Sequence, residues 1–117
     1  ALLDARKGIE MFRKVDIPVL GVVENMSLYR CPECGARSYV FGEGGGERVA
    51  REFGVPLLAE LPLDLSIREQ TDGGRPSVVA DPDGEIAGIY ADAARHMAAR
   101  LWVGDQAGGP TIAIVDD

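Results

Sequence analysis

Leu2, Ala5, Ile9 and Phe12 recur at helical spacing from the first residue, with Arg6, Lys7, Glu10, Arg13 and Lys14 between them. This predicts an amphipathic helix over residues 2–15 that stops before Ile17 and Pro18. The pattern then changes. Val19, Leu20, Val22 and Val23 belong to an apolar run without alternation, as expected of a parallel strand covered on both faces. Residues 55–61 have the same character, and between the two runs lie both cysteines and a helical stretch over 43–53 closed by Gly54. Pro62, Leu63 and Asp64 then turn into a short helix. Asp64 is its candidate N-cap, Ser66 with Glu69 is a possible capping box, and Gly73 with Gly74 ends it. Ile86, Ile89, Tyr90, Ala93, Met97 and Leu101 define a last amphipathic helix entered through Asp81, Pro82 and Asp83. Strands alternating with helices argue for a doubly wound α/β sheet. Residues 1–103 read as one such unit. Residues 104–110 read as a linker, and residues 111–115 have strand composition, suited to an edge strand, a partner-binding strand or an unpaired end.

Composition narrows the class. At 117 residues the chain is one modest domain, and 19 acidic against 12 basic residues give a net charge of -7. No run of Lys or Arg with interleaved aromatics offers a track for a phosphate backbone, so nucleic acid is excluded as an expected partner. The longest uncharged apolar stretch, residues 17–23, is too short for a bilayer, and no basic segment followed by an apolar one opens the chain. The expectation is a soluble, cytoplasmic protein without a membrane partner. A disulfide between the two cysteines would close a tiny loop and stabilise little, so a secreted disulfide framework fails. The first residue is Ala1 rather than Met, already within a helical pattern, and the chain is expected to be the C-terminal part of a longer protein.

The chemistry lies in Cys31 and Cys34. Pro32 fixes φ inside this C-x-x-C turn, and Gly35 can take the left-handed conformation that turns backbone N–H groups toward the sulfurs. The result is half a metal site, because zinc or an iron-sulfur cluster wants four ligands and the chain adds only the distant His96. A two-fold homodimer that sets this turn against its own copy would complete a four-cysteine site. A redox pair would need the turn to open a helix, whereas residues 35–41 read as a turn and a short strand. Structural zinc and a functional cluster both remain open at this point. Asn25 lies just past the first strand, where ligands bind in open α/β sheets, and its carboxamide suits an adenine edge, although a turn-forming Asn is the plainer role. Pro62, Leu63 and Asp64 hold the equivalent place after the second strand and could form the opposite wall. Gly42, Gly44, Gly45 and Gly46 precede a helix, a weak phosphate signal, because no G-x-x-x-x-G-K-[ST] occurs in the chain. His96 is expected on a solvated helix face.

The order of Lys7, Gly8 and Ile9, then Pro18 through the Gly21, Glu24, Asn25, Met26 and Ser27 segment, then Cys31, Pro32, Cys34 and Gly35, closely resembles the Mrp/ApbC family of P-loop ATPases that carry iron-sulfur clusters. Phe41 with the glycines at 42 and 44–46, Gly54 to Pro56 in order, the 61–64 run, Ile67 with Arg68 and Glu69, and the 73–76 turn follow in the family's sequence, so the resemblance covers residues 1 to about 102. It implies the C-terminal part of a MinD-like doubly wound sheet of the P-loop NTPase fold, with a C-x-x-C insertion. It also implies that Cys31 and Cys34 ligate a 4Fe-4S cluster shared across a homodimer and passed to apo iron-sulfur client proteins in an ATP-dependent way. Asn25 matches the position that reads adenine, and Pro62, Leu63 and Asp64 the loop that lines the base. ATP with magnesium would be bound and hydrolysed by the full-length parent, whose phosphate site this chain lacks. The rival reading is a zinc-knuckle dimerisation domain without cluster transfer.

Overall fold

The structure, a computed structural model, describes residues 1–106. In chain order these form α1 (Leu2–Lys14), β1 (Val22–Glu24), β2 (Tyr29–Arg30), β3 (Arg37–Ser38), α2 (Gly45–Phe53), β4 (Leu57–Glu60), α3 (Leu65–Asp72), α4 (Ser77–Ala80) and α5 (Glu85–Gln106). The alternating α/β pattern is the expected one. β1 and β4 pair in parallel, joined by a crossover that carries the β2–β3 hairpin and α2. Helix α2 packs on β1 and α5 on β4, while α1 lies against α2. Ile9, Val49, Ala50, Leu58, Leu61, Ala87 and Ala93 are the buried apolar residues at these contacts.

The first strand is shorter than the apolar run predicts. Regular pairing starts at Val22, whose N–H donates to the Pro56 carbonyl at 2.9 Å, and residues 19–21 approach without forming a ladder. Gly21 explains the approach: a Cβ there would lie 2.6 Å from Cγ of Leu58 and 2.7 Å from the Pro56 oxygen. The register then shifts, Val22 facing Leu57 and Val23 facing Ala59, so Leu58 is an extra residue on β4. Cover on both faces is also incomplete, since Val23 is 42% exposed.

Three other expectations change. The capping box assigned to Ser66 and Glu69 does not form. Asp64 is the N-cap, as expected, and its Oδ1 accepts from both the N–H (2.9 Å) and the hydroxyl (2.6 Å) of Ser66, which sits inside the first turn. His96 is not merely a solvated side chain, because its Nδ1 donates to the Leu58 carbonyl at 2.8 Å and so ties α5 to the bulged residue of β4. Helix α5 runs to Gln106, so residues 104–106 continue it rather than open a linker. The strand composition at residues 111–115 lies outside the described residues. Among the described residues no helix is long and apolar enough to cross a membrane.

Candidate functional site

The two cysteines sit at the tip of the β2–β3 hairpin. Tyr29 faces Ser38 and Arg30 faces Arg37, and the hairpin is closed beyond the strands by the Cys31 N–H donating to the Ala36 carbonyl at 2.9 Å. Gly35 donates its N–H to the Cys31 carbonyl, also at 2.9 Å, and does so at φ +72°, the left-handed conformation that glycine adopts without steric cost. The turn is thereby held at both ends. The N–H groups of Cys34 and Glu33 turn toward the Cys31 sulfur and, with the Cys34 side chain, hold its thiol below the ordinary range, which favours the anionic donor a soft metal needs. Both cysteines are free, Cys34 exposed and Cys31 half-buried. The chain continues from Cys34 into strand β3, so no helix dipole acts on the turn in the way a thioredoxin-like site requires. Among the described residues no third His, Cys, Asp or Glu joins the pair in a group able to hold a metal ion, and His96 stays with Leu58.

The second part of the site is at the C-terminal edge of the parallel pair. Because β1 and β4 run the same way, the loops that follow them emerge side by side. Asn25, Met26, Pro62, Leu63 and Asp64 line one cleft of about 320 Å³, to which Tyr90 of α5 also contributes. The structure therefore brings together the four residues read as the two walls. Asn25 is exposed, and its Oδ1 accepts from the Met26 N–H at 2.9 Å, at a residue held at φ +56°. The turn-forming role is thus real, and it is the contact that orients the carboxamide. Asp64 is held below the usual carboxylate range chiefly by the Ser66 hydroxyl, with the Ser66 N–H and the Arg30 charge adding to it against the effect of burial.

The glycine-rich helix entry serves packing. A Cβ on Gly46 would lie 2.8 Å from Cβ of Glu24, and Gly45 lies against Leu2 and Glu24, so these glycines let α2 approach β1 closely. The segment that joins the cleft to the cysteines went unread in the sequence. Leu63 donates its N–H to the Leu28 carbonyl at 2.8 Å, and Tyr29 forms a parallel bridge with Leu63. Arg30, adjacent to Cys31, pairs with Glu85 at 2.7 Å and approaches Asp64 at 4.0 Å. The only signal for this in the chain was an arginine immediately before the C-x-x-C turn.

Similar solved structures define the class. A nucleotide-binding protein of Archaeoglobus fulgidus in complex with ADP shares 35% identity at a TM-score of 0.56, covering 70% of this chain and 32% of that one. The cell division ATPase MinD of Pyrococcus furiosus shares 27% identity at a TM-score of 0.63, covering 85% and 38%. The α/β arrangement is thus that of the MinD-like P-loop NTPases.

The family model described as NUBPL iron-transfer P-loop NTPase matches residues 1–98, and the chain belongs to this family. It is 61% identical over 94 residues to an iron-sulfur cluster carrier protein of Pseudomonas fragi, covering 80% of this chain and 33% of that protein. The carrier of Escherichia coli K12 is 47% identical over 106 residues, at 90% and 29%, and the mouse iron-sulfur cluster transfer protein NUBPL 45% over 101 residues, at 86% and 32%. The chain spans about a third of the length of these relatives.

Proposed function

We propose that this chain is the ligand-bearing segment of an iron-sulfur cluster carrier. Cys31 and Cys34 supply two of the four thiolates around a 4Fe-4S cluster, the same pair from a second copy supplies the others, and apo iron-sulfur proteins receive the cluster. The observation that carries this reading is the hairpin tip. It presents two free thiols at the surface, one of them favoured as thiolate, with no third ligand beside them among the described residues, which suits cargo held between two protomers and released from there. Asn25, Pro62, Leu63 and Asp64 face the adenine of ATP across the cleft, and the phosphates and magnesium are held by the rest of the full-length protein. Thiols of this kind stay reduced in the cytoplasm, where the reading places the protein.

Anaerobic reconstitution of the full-length protein tests it. The wild type should develop the visible absorption of a cluster and hold about two irons per chain, the content of one four-iron cluster per dimer. Cys31→Ser and Cys34→Ser should each abolish both signals and leave the far-ultraviolet circular dichroism unchanged. A colourless protein with about one zinc per two chains would establish the zinc-knuckle reading instead.

A further inference from the structure

Asp64 lines three cavities, two of which belong to the sites described above. It lines the adenine-side cleft with Asn25, and it lines a second cavity of about 530 Å³ over the cysteine turn, together with Arg30, Cys31, Gly35 and Glu85. The loop bearing Asp64 does not float between them. As the N-cap of α3 it moves with the first turn of that helix, and on its other side Leu63 is hydrogen-bonded to Leu28 and bridged to Tyr29. Arg30 continues the line. Its guanidinium spans from Glu85 on α5 (2.7 Å) toward Asp64 (4.0 Å), and the next residue is Cys31.

We infer that Arg30 is a positioning residue that couples the adenine-side cleft to the cysteine turn, holding the β2 end of the hairpin against Asp64 and Glu85 so that occupation of the cleft shifts Cys31. The inference rests on the cluster-carrier reading for what Cys31 holds. The ion pairs themselves are partly exposed, with side-chain exposures of 39% for Arg30 and 58% for Glu85, and surface pairs of this kind contribute little to stability. Removing them therefore leaves the fold in place and tests position alone. The two sites lie on either side of one short, hydrogen-bonded segment, so a displacement of residues 62–64 by a bound base reaches Cys31 through a backbone bridge and a salt bridge in parallel. Because coupling between two ligands is reciprocal, a cluster on the cysteines must alter nucleotide affinity by the same factor.

The test uses the full-length protein and ADP. Calorimetry gives the ADP affinity of the apo and cluster-loaded forms; the wild type should differ by about fivefold or more between them. Arg30→Met should lower that ratio while iron content and visible spectrum stay as in wild type, and Arg30→Lys should restore part of it. A second measurement needs no cluster: ADP should change amide exchange over residues 28–37 of the apo wild type, and Arg30→Met should reduce the change over residues 31–37. Should Arg30→Met fail to fold, Glu85→Gln removes the 2.7 Å ion pair without touching Arg30 and should lower the ratio. Equal ratios in wild type and the variants, or a wild-type ratio of one, would overturn the inference. A protein that takes up no cluster yet shows the exchange response would defeat the carrier reading and leave the coupling standing.

Discussion

Gly21 and Leu58 touch where β1 begins: a Cβ on Gly21 would lie 2.6 Å from Cγ and 2.9 Å from Cδ1 of Leu58, with the Pro56 carbonyl at 2.7 Å on the other side. Leu58 is the extra residue of the β4 register shift, and its carbonyl is occupied by His96. One leucine thus serves as the contact for the strand before it and the helix after it, and it is only 6% exposed. Backbone on one side and a locked leucine on the other leave no room for a methyl group. Gly21→Ala should destabilise the full-length protein by about 1–3 kcal/mol, as overpacking a close contact does. Denaturant unfolding measures this, and an unchanged midpoint would refute it.

The Asp64 carboxyl sets a pH dependence. Its hydrogen bonds from Ser66 and its approach to Arg30 depress its pKa in the folded state below the ordinary 3.8. A depressed carboxyl contributes stability that is present above the unfolded pKa and lost as pH falls through the folded one. Asp64→Asn keeps a good N-cap but removes the charge. The melting-temperature gap between wild type and Asp64→Asn should therefore be widest near neutral pH and narrow below about pH 4. The same gap at pH 3 and pH 6 would show that the charge adds nothing.

The proposed nucleotide reading gives Asn25 the base preference. Its Oδ1 is engaged with the Met26 N–H, which fixes the plane of the carboxamide in the lining of the cleft. Losing one net hydrogen bond to a base corresponds to about 0.5–1.5 kcal/mol, so Asn25→Ala in the full-length protein should reduce the ratio of ATP to GTP affinity roughly two- to tenfold. Competition binding of the two nucleotides decides this; identical selectivity would remove Asn25 from base recognition.

Much of this arrangement was legible in local patterns. The stripe from Leu2 to Phe12, the stop at Gly54 and the cap at Asp64 each depend on neighbours within a few residues, and each formed close to the expected place. The two walls of the cleft were legible because parallel strands put their following loops on one edge. What local pattern could not show was contact across the chain. Arg30 and Glu85 are 55 residues apart, and Leu58 meets His96 across 38, distances over which no periodicity speaks. The glycines at 45 and 46 gave only a weak signal for a different reason, since a residue without a side chain looks the same whether it admits a phosphate or, as here, the side chain of Glu24.

The isolated chain should associate. Among the described residues the parallel sheet has two strands, and an apolar run suited to a covered strand is left with Val23 exposed. Helix α1 and the segment after it add Leu3, Met11, Phe12, Val15 and Ile17 to the exposed apolar surface, each more than 40% accessible. A patch of that kind, beside unpaired strand edges, favours contact with another chain over contact with water. The net charge of -7 opposes this, but repulsion between surface charges is screened within about 10 Å at 0.1 M salt, whereas apolar contact is not. Sedimentation of residues 1–117 at 0.1 M salt should thus show self-association or aggregation, and heating should give no sharp monomeric transition. A monomer that unfolds cooperatively at about 45–65 °C would sink the expectation and establish these residues as an independent domain.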